Sequence, residues 1–152
     1  MLVHAGANRG LLLKIADGKL EAEASAWTEG DSVRVSTINP DRYGLSPPYS
    51  VIDRALQTRT PFVISGSDFG AWAADKQSAT GRSILCVPLL RRGELTGLLC
   101  LQNDYLEGVF AADTVALLKL LASQAAISLE NARLYTKLLQ ENELRARSEQ
   151  AL

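Results

Sequence analysis

Histidine and cysteine are scarce in this chain of 152 residues, which holds one His and two Cys. A structural zinc site needs a full set of Cys or His ligands, and a disulfide scaffold needs more cysteines than these. No CxxC or HExxH spacing is present, and a Ser–His or Cys–His pair would depend on His4 alone. The shortage of ligands predicts no metal centre. Because a nucleophile needs a base beside it, the sequence also predicts no catalysis by this chain alone.

Neither sign of charge is in excess, and long hydrophobic runs are missing. Sixteen Lys and Arg residues balance seventeen Asp and Glu, which leaves a net charge of −1. Binding through bulk basicity needs a clear excess of Lys and Arg, so no nucleic-acid partner is expected. Apolar stretches such as 120–129 reach about ten residues, whereas a membrane-spanning helix needs about twenty. The start also lacks a basic segment before an apolar run. We therefore expect a cytoplasmic protein with no membrane partner.

Apolar residues make up 47% of the chain, which is enough for one domain with a sizeable core. Residues 10–16 and 19–27 flank Asp17-Gly18, a dipeptide that suits the two positive-φ positions of a tight hairpin. In the second of these strands, alternation places one set on a common face: Leu20, Ala22, Ala24 and Ala26. Residues 32–38 alternate weakly and predict an edge strand.

The clearest strands are SILCVPLL at 83–90 and LTGLLCLQN at 95–103, joined by Arg91-Arg92-Gly93. A loop of these three residues, with Gly93 in the left-handed position, predicts that Leu85 pairs with Leu99. One face of the hairpin is then almost wholly apolar. The other is mixed, and it carries Ile84, Cys86, Pro88, Cys100 and Gln102.

Two residues of the mixed face carry further expectations. Pro88 predicts an edge or bulge position, where its missing N–H does least harm. In the predicted register Cys86 lies opposite Leu98 and one diagonal step from Cys100. The two cysteines are either a redox pair or two small buried apolar side chains, and the second interpretation is favoured.

Two helices are predicted. Ser46-Pro47-Pro48 is typical of a helix start, and Thr60-Pro61 ends that helix before a short strand at 62–64. Its apolar stripe consists of Val51, Ile52, Ala55 and Leu56. Residues 113–152 contain no Gly and no Pro, which predicts one long helix. It would span about 60 Å. A globule of this chain length measures roughly 40 Å across, so we expect the helix to project.

The segments PLLRRGELTGLL and LLASQAAISLENARLY, with the Pro-started helix and the strand after it, closely resemble a GAF domain over about residues 5–135. They look most like the GAF domain of large bacterial multidomain sensor kinases that also carry Ser/Thr-kinase-like and ATPase-like regions. The resemblance implies an α+β fold with a central antiparallel sheet. Helices from the two ends would cover one face, and loops with a short helix would enclose a small-molecule pocket on the other.

The same resemblance divides the chain into two parts. Residues 1–112 would form the sheet and the pocket. Residues 113–152 would form the long helix, packed on the sheet to about 135 and then serving as a linker for signalling and dimerisation. Members of the family usually open with a full helix, whereas only Met1 to Ala7 precede the first strand here. We therefore expect part of the apolar surface of 114–134 to lack its usual cover.

A pocket is expected between the mixed face of the hairpin and the loop 66–82, where Phe69 and Trp72 are candidates for a lid. Its predicted ligand-binding residues are Phe69, Trp72, Ile84, Cys86, Pro88, Cys100 and Gln102. GAF domains that bind cyclic nucleotides carry an Asn-Lys…Phe…Asp-Glu motif, but here Asn103 is followed by Asp104. Bilin and haem attachment use a His, and His4 is the single one. No cyclic nucleotide, bilin, haem or metal is therefore expected, and the ligand is left open.

The resemblance predicts a regulatory sensor domain of a signal-transduction kinase, which binds a small ligand or relays a signal through a paired helix. Its partners would be the neighbouring kinase domains of the parent chain and a second copy of itself. The predicted dimer residues are Leu134, Leu138, Leu144 and Leu152, although Glu141, Arg145 and Ser148 interrupt the heptad pattern. Two alternatives stay open: a ligand-free dimerisation and spacer module, and a redox enzyme on this fold.

Overall fold

The computed structural model describes residues 3, 5–37, 49–66 and 83–150. Six strands form one antiparallel sheet in the order β3-β2-β1-β6-β5-β4. The strands are β1 Arg9–Ala16, β2 Lys19–Glu29, β3 Ser32–Ser36, β4 Phe62–Ser65, β5 Ser83–Arg91 and β6 Glu94–Asn103. The helices are α1 Tyr49–Thr58 and α2 Ala112–Gln150. The predicted antiparallel sheet and long C-terminal helix are thus confirmed, whereas Ser46-Pro47-Pro48 lies outside the described residues.

Both predicted hairpins form, but the second one has a different loop. Asp17 and Gly18 have φ values of 51° and 74°, as the dipeptide predicted. Arg92 and Gly93, at 51° and 78°, make a second two-residue loop of the same kind, because Arg91 already pairs with Glu94. The predicted three-residue loop is therefore wrong.

The pairing of β5 with β6 consequently differs from the predicted register. Leu85 pairs with Leu101 rather than Leu99, and Cys86 pairs with Cys100 rather than Leu98. The register shifts between Leu89 and Leu90, where Thr96 is the extra residue of β6 and donates a hydrogen bond to the carbonyl of Leu89 at 3.0 Å. Because the resulting error is two residues and side chains alternate with a period of two, the predicted division into two faces still holds.

A second bulge reverses the alternation within β2. Leu12 pairs with Ala24 and Leu13 with Ala22, so Glu23 is the extra residue. Leu20 and Ala22 consequently face α1, whereas Ala24 and Ala26 point to the face on which α2 lies. The prediction that all four share one face is wrong, because it assumed an unbroken strand.

The sheet separates two apolar cores. The α1-side core is formed by Leu11, Leu13, Val51, Ile52, Ala55, Ile64, Ile84, Cys86, Leu98 and Cys100. The α2-side core is formed by Ala5, Ala7, Leu85, Val87, Leu89, Leu101, Phe110, Leu118, Ala122 and Ala126. The short helix and the long helix therefore cover opposite faces of the sheet.

Only one side of α2 is used against the sheet. Its buried residues are Leu118, Ala122 and Ala126, and from residue 131 to 150 every side chain is exposed. Arg133 forms a 2.7 Å ion pair with Glu23 of β2, and Arg91 reaches Glu130 at 3.1 Å. By length and composition alone α2 could also cross a membrane, and 17% of its most apolar window is buried. Much apolar surface on this helix is thus left without cover.

Candidate functional site

Five of the predicted ligand-binding residues lie together on the α1 side of the sheet. Ile84 pairs with Gln102 and Cys86 with Cys100, while Pro88 lies opposite Leu98. All five predicted residues are buried. Within the described residues, β4 pairs with β5 only as far as Cys86, so Pro88 lies beyond that pairing, in the edge position that its missing N–H predicted. Phe69 and Trp72 lie outside the described residues, and the pocket they would close stays a prediction.

Helix α1 covers this group of side chains. Val51, Ile52 and Ala55 fall on one side of the helix and pack in the same core as Ile84 and the two cysteines. Cys86 and Cys100 are completely buried beneath it. The family resemblance implied a short helix on the pocket face of the sheet, and α1 lies on that face. Any ligand space on this face must therefore lie beside α1 or open when α1 moves.

One row of side chains crosses all six strands on this face. From the first edge to the other the paired positions are Ser36, Ser25, Leu11, Cys100, Cys86 and Phe62. Ser25 is buried, and its hydroxyl has no hydrogen-bond partner within the part of the chain that the structure describes. A buried hydroxyl without a partner costs about 1–3 kcal/mol. Sequence reasoning missed Ser25, because the bulge at Glu23 hides which way it points.

The two cysteines lie directly opposite each other, not on a diagonal as predicted. Their Sγ atoms are 3.2 Å apart, and both thiols are free. The pKa of Cys100 is raised well above its usual value, first by the hydrogen bond with Cys86, then by burial and by the neighbouring charge of Cys86. Across the described ranges, no group of three or more His, Cys, Asp or Glu side chains could hold a metal ion.

A polar network binds Gln102 to the start of β1. The Asp104 carboxylate accepts hydrogen bonds from Asn8 Nδ2 at 2.8 Å and from Gln102 Nε2, and forms an ion pair with Arg9 Nε at 2.7 Å. The backbone N–H of Asp104 donates to Asn8 Oδ1 at 2.9 Å. The amide of Gln102 is thus engaged by Asp104. No sequence signal could have revealed this contact, because Asn8 and Asp104 are 96 residues apart.

Removing the Asp104 carboxylate should destabilise the fold. Asp104→Ala leaves the Asn8 and Gln102 amides without their acceptor, and we expect a loss of about 1–3 kcal/mol in the free energy of unfolding. Urea unfolding followed by circular dichroism measures this loss. Asp53→Ala, an exposed change on α1, is the matched control and should stay within about 0.5 kcal/mol of the unaltered chain. Equal midpoints for the two variants would contradict a structural role of the network.

The opposite face of the sheet carries an apolar groove of about 280 Å³. It is lined by residues of β1, β2, β3 and β6. Its lining includes Leu12, Ala24, Ala26, Val33, Val35 and Leu99. Sequence reasoning missed the groove, because the predicted alternation of β2 placed Ala24 and Ala26 with Leu20.

Comparison with known proteins identifies the family of this chain. A sequence profile of the GAF domain matches residues 4–129. The chain belongs to the GAF domain family. The resemblance inferred from the sequence is confirmed, and so is the α+β fold. The match runs into α2 beyond its buried residues, so the first part of this helix is integral to the GAF domain.

This GAF domain is similar to one curated relative and to GAF domains of solved structure. Hybrid signal transduction histidine kinase G of Dictyostelium discoideum is 33% identical over 94 residues, which is 60% of this chain and 3% of that protein. The GAF domain of a two-component sensor histidine kinase from Bacillus halodurans is 21% identical, with a TM-score of 0.58 and 86% of both chains covered. The GAF domain of a phosphoenolpyruvate-protein phosphotransferase from Coxiella burnetii is 18% identical, with a TM-score of 0.61 and 86% and 76% covered.

The family motif for cyclic nucleotides is incomplete here, and the structure assigns its Asn another role. The side-chain oxygen of Asn103 accepts hydrogen bonds from the backbone N–H groups of Tyr105 and Leu106, both at 2.8 Å. Its amide donates to the Gly6 carbonyl at 2.7 Å. Asn103 therefore fixes the turn after β6 in this GAF domain and holds the N-terminal segment beside it.

Proposed function

We propose that this GAF domain is a regulatory module of a cytoplasmic signal-transduction kinase. It binds a small ligand on the α1 side of its sheet and passes the change to neighbouring domains through a pair of α2 helices. The chain itself performs no catalysis. An exposed apolar seam along α2 carries this proposal, since it fits a second helix of the same kind.

The seam follows the heptad spacing of a coiled coil. Its apolar members are Leu117 and Leu138 at a positions, with Leu120, Ile127 and Leu134 at d positions. Each of these side chains is between 42% and 68% exposed. A helix advances by about 100° per residue, so the seam lies on the side of α2 opposite Leu118 and Ala122. The sheet and a partner helix could therefore contact α2 at the same time.

Two polar residues complete the a positions of the seam. Gln124 and Asn131 are both exposed and fall between the apolar members. A polar side chain at an a position favours one register and a small number of strands, because it can meet its own copy in the partner helix. This supports two parallel helices related by a two-fold axis. Leu144 falls at a g position that flanks the seam, and Leu152 lies outside the described residues.

A second copy accounts for the exposed surface better than a membrane does. Leu118, Ala122 and Ala126 of the same helix pack on the sheet, and Arg133 pairs with Glu23. Insertion of α2 into a bilayer would remove all of these contacts. A helix pair buries the leucines and keeps the contacts with the sheet.

The ligand part of the proposal rests on the α1 side of the sheet. Ser25 is buried there without a hydrogen-bond partner among the residues described, and a polar atom of a ligand would satisfy its hydroxyl. Most of its other buried side chains are apolar, and Gln102 adds a polar group, a combination typical of small-molecule sites. We expect a small, largely apolar molecule with at least one hydrogen-bonding group.

Native mass spectrometry of the unaltered chain tests both halves of the proposal. The expected spectrum shows a dimer at roughly tens of micromolar, with an added mass that disappears after denaturation. The same sample unfolded in acid is the control, because it reports the bare chain. A monomer would contradict the helix pair. A dimer with no added mass, and no ligand-dependent shift in melting temperature across a metabolite library, would contradict ligand binding.

A ligand-free spacer is the second candidate, and one observation favours it. Val51, Ile52 and Ala55 of α1 already fill the space above Ile84 and the two cysteines. In this case the dimer forms and no small molecule is retained. The proposed kinase context applies equally to both candidates.

A further inference from the structure

The two cysteines of this chain lie side by side on neighbouring strands of the sheet. Cys86 and Cys100 are the only cysteines present, and they pair directly across β5 and β6. We propose that this pair is a modification site, at which hydrogen peroxide converts the two thiols into an intramolecular disulfide. The proposal does not depend on the ligand or the helix pair proposed above.

The positions of the two side chains suit a disulfide. Their Sγ atoms are 3.2 Å apart, so they must approach by about 1.2 Å to reach the bond length of about 2.05 Å. Directly opposite residues of an antiparallel pair have Cβ atoms about 4.5–5.5 Å apart, close to the upper end of the disulfide range. Small rotations of the two side chains and a slight closing of the strands are sufficient.

The reaction balances with peroxide as the oxidant. One cysteine loses its proton, and its thiolate attacks a peroxide oxygen to give a sulfenic acid and one water. The second thiol then attacks the sulfenic sulfur, forms the S–S bond and releases a second water. The protein loses two electrons and two protons in total. A dithiol reductant reverses the change by thiol–disulfide exchange.

Helix α1 controls access to this pair. Both thiols are completely buried beneath Val51, Ile52 and Ala55, which share their core. The raised pKa of Cys100 keeps its thiol protonated and therefore slow to react while the helix is in place. Oxidation should thus occur only when α1 lifts from the sheet, and its rate should report how often this local opening occurs.

The test follows the two thiols in the full chain. Reduced protein is exposed to hydrogen peroxide, quenched with catalase, unfolded and treated with N-ethylmaleimide before its intact mass is measured. The expected product carries no maleimide, has lost two hydrogen atoms, and regains both thiols after treatment with a dithiol. Cys86→Ala is the control, because its remaining thiol has no partner within the chain. Thiols that stay alkylatable, or a product that has gained oxygen atoms instead, would overturn the proposal.

Two matched variants test the role of α1. Val51→Ala weakens the contact of α1 with the sheet and should raise the oxidation rate by about tenfold or more. Leu118→Ala removes a buried side chain from the α2-side core and should leave the rate within about threefold of the unaltered chain at the same peroxide concentration. Equal acceleration by both variants would show that oxidation requires global unfolding, and would contradict access through α1.

Discussion

A Leu134→Asp, Leu138→Asp double variant is expected to sediment as a monomer at concentrations where the unaltered chain is a dimer. Both leucines lie in the seam, at neighbouring d and a positions. When two α2 helices pair along the seam, the introduced Asp side chains of one chain would face those of the other at an apolar contact. Burying charge without a partner is costly, and we expect the dissociation constant to rise at least about a thousandfold, or about 4 kcal/mol.

Leu139→Asp is the matched control for this prediction. Leu139 is also exposed, at 49%, and lies next to Leu138, but it falls at a b position outside the seam. The control should therefore remain a dimer in sedimentation velocity runs. The double variant should also lose helicity by circular dichroism, since the exposed end of α2 has no other packing to stabilise it. A double variant that still forms a dimer would show that the helices do not meet along this seam.

Gly97→Ala is expected to produce the largest loss of stability from a single methyl group. β1 passes so close to β6 that a Cβ on Gly97 would lie 2.4 Å from the Leu13 carbonyl oxygen. The obstacle is backbone in the middle of the sheet, so no flexible side chain can move out of the way. Leu89 closes the other side, with its Cδ1 at 3.4 Å. We expect the free energy of unfolding to fall by about 3 kcal/mol.

Gly93→Ala separates this clash from the general loss of a glycine. Gly93 sits at the hairpin tip with φ of 78°, and no atom lies within 4 Å of its added Cβ. Its substitution should cost only the strain of a left-handed backbone, about 1–2 kcal/mol. Urea midpoints of the two variants measure the difference. A Gly97→Ala variant as stable as Gly93→Ala would mean that β1 and β6 can separate without penalty.

Elements governed by local chemistry were predictable from the sequence. The Asp17-Gly18 hairpin follows from the backbone freedom of two residues, and α2 follows from a long stretch without Gly or Pro. The division of the β5–β6 hairpin into two faces followed from alternation. This division is correct although the predicted register is wrong by two residues, because a shift of two residues leaves every side chain on the same face of the sheet.

The features that escaped prediction depend on contacts distant in the sequence. Thr96 and Glu23 are bulge residues, and neither carries a turn signal that would mark it as an extra residue. Asp104 contacts Asn8, which is 96 residues away in the sequence. The seam members Leu117, Leu120 and Ile127 also escaped prediction. Residues 114–129 are apolar on nearly every side of the helix, and only the structure shows which side packs on the sheet.

The length of α2 beyond its last contact with the sheet has a mechanical consequence. Among the contacts between described residues, the ion pair of Arg133 with Glu23 lies furthest along the helix, and α2 continues to Gln150. This free arm is about 25 Å long at 1.5 Å per residue. With the Arg133–Glu23 ion pair as a pivot, a tilt of about 10° in the packed half would move the far end by about 4 Å. A displacement too small to disturb the core would thus become a movement nearly as large as one helical turn at the far end of the described helix.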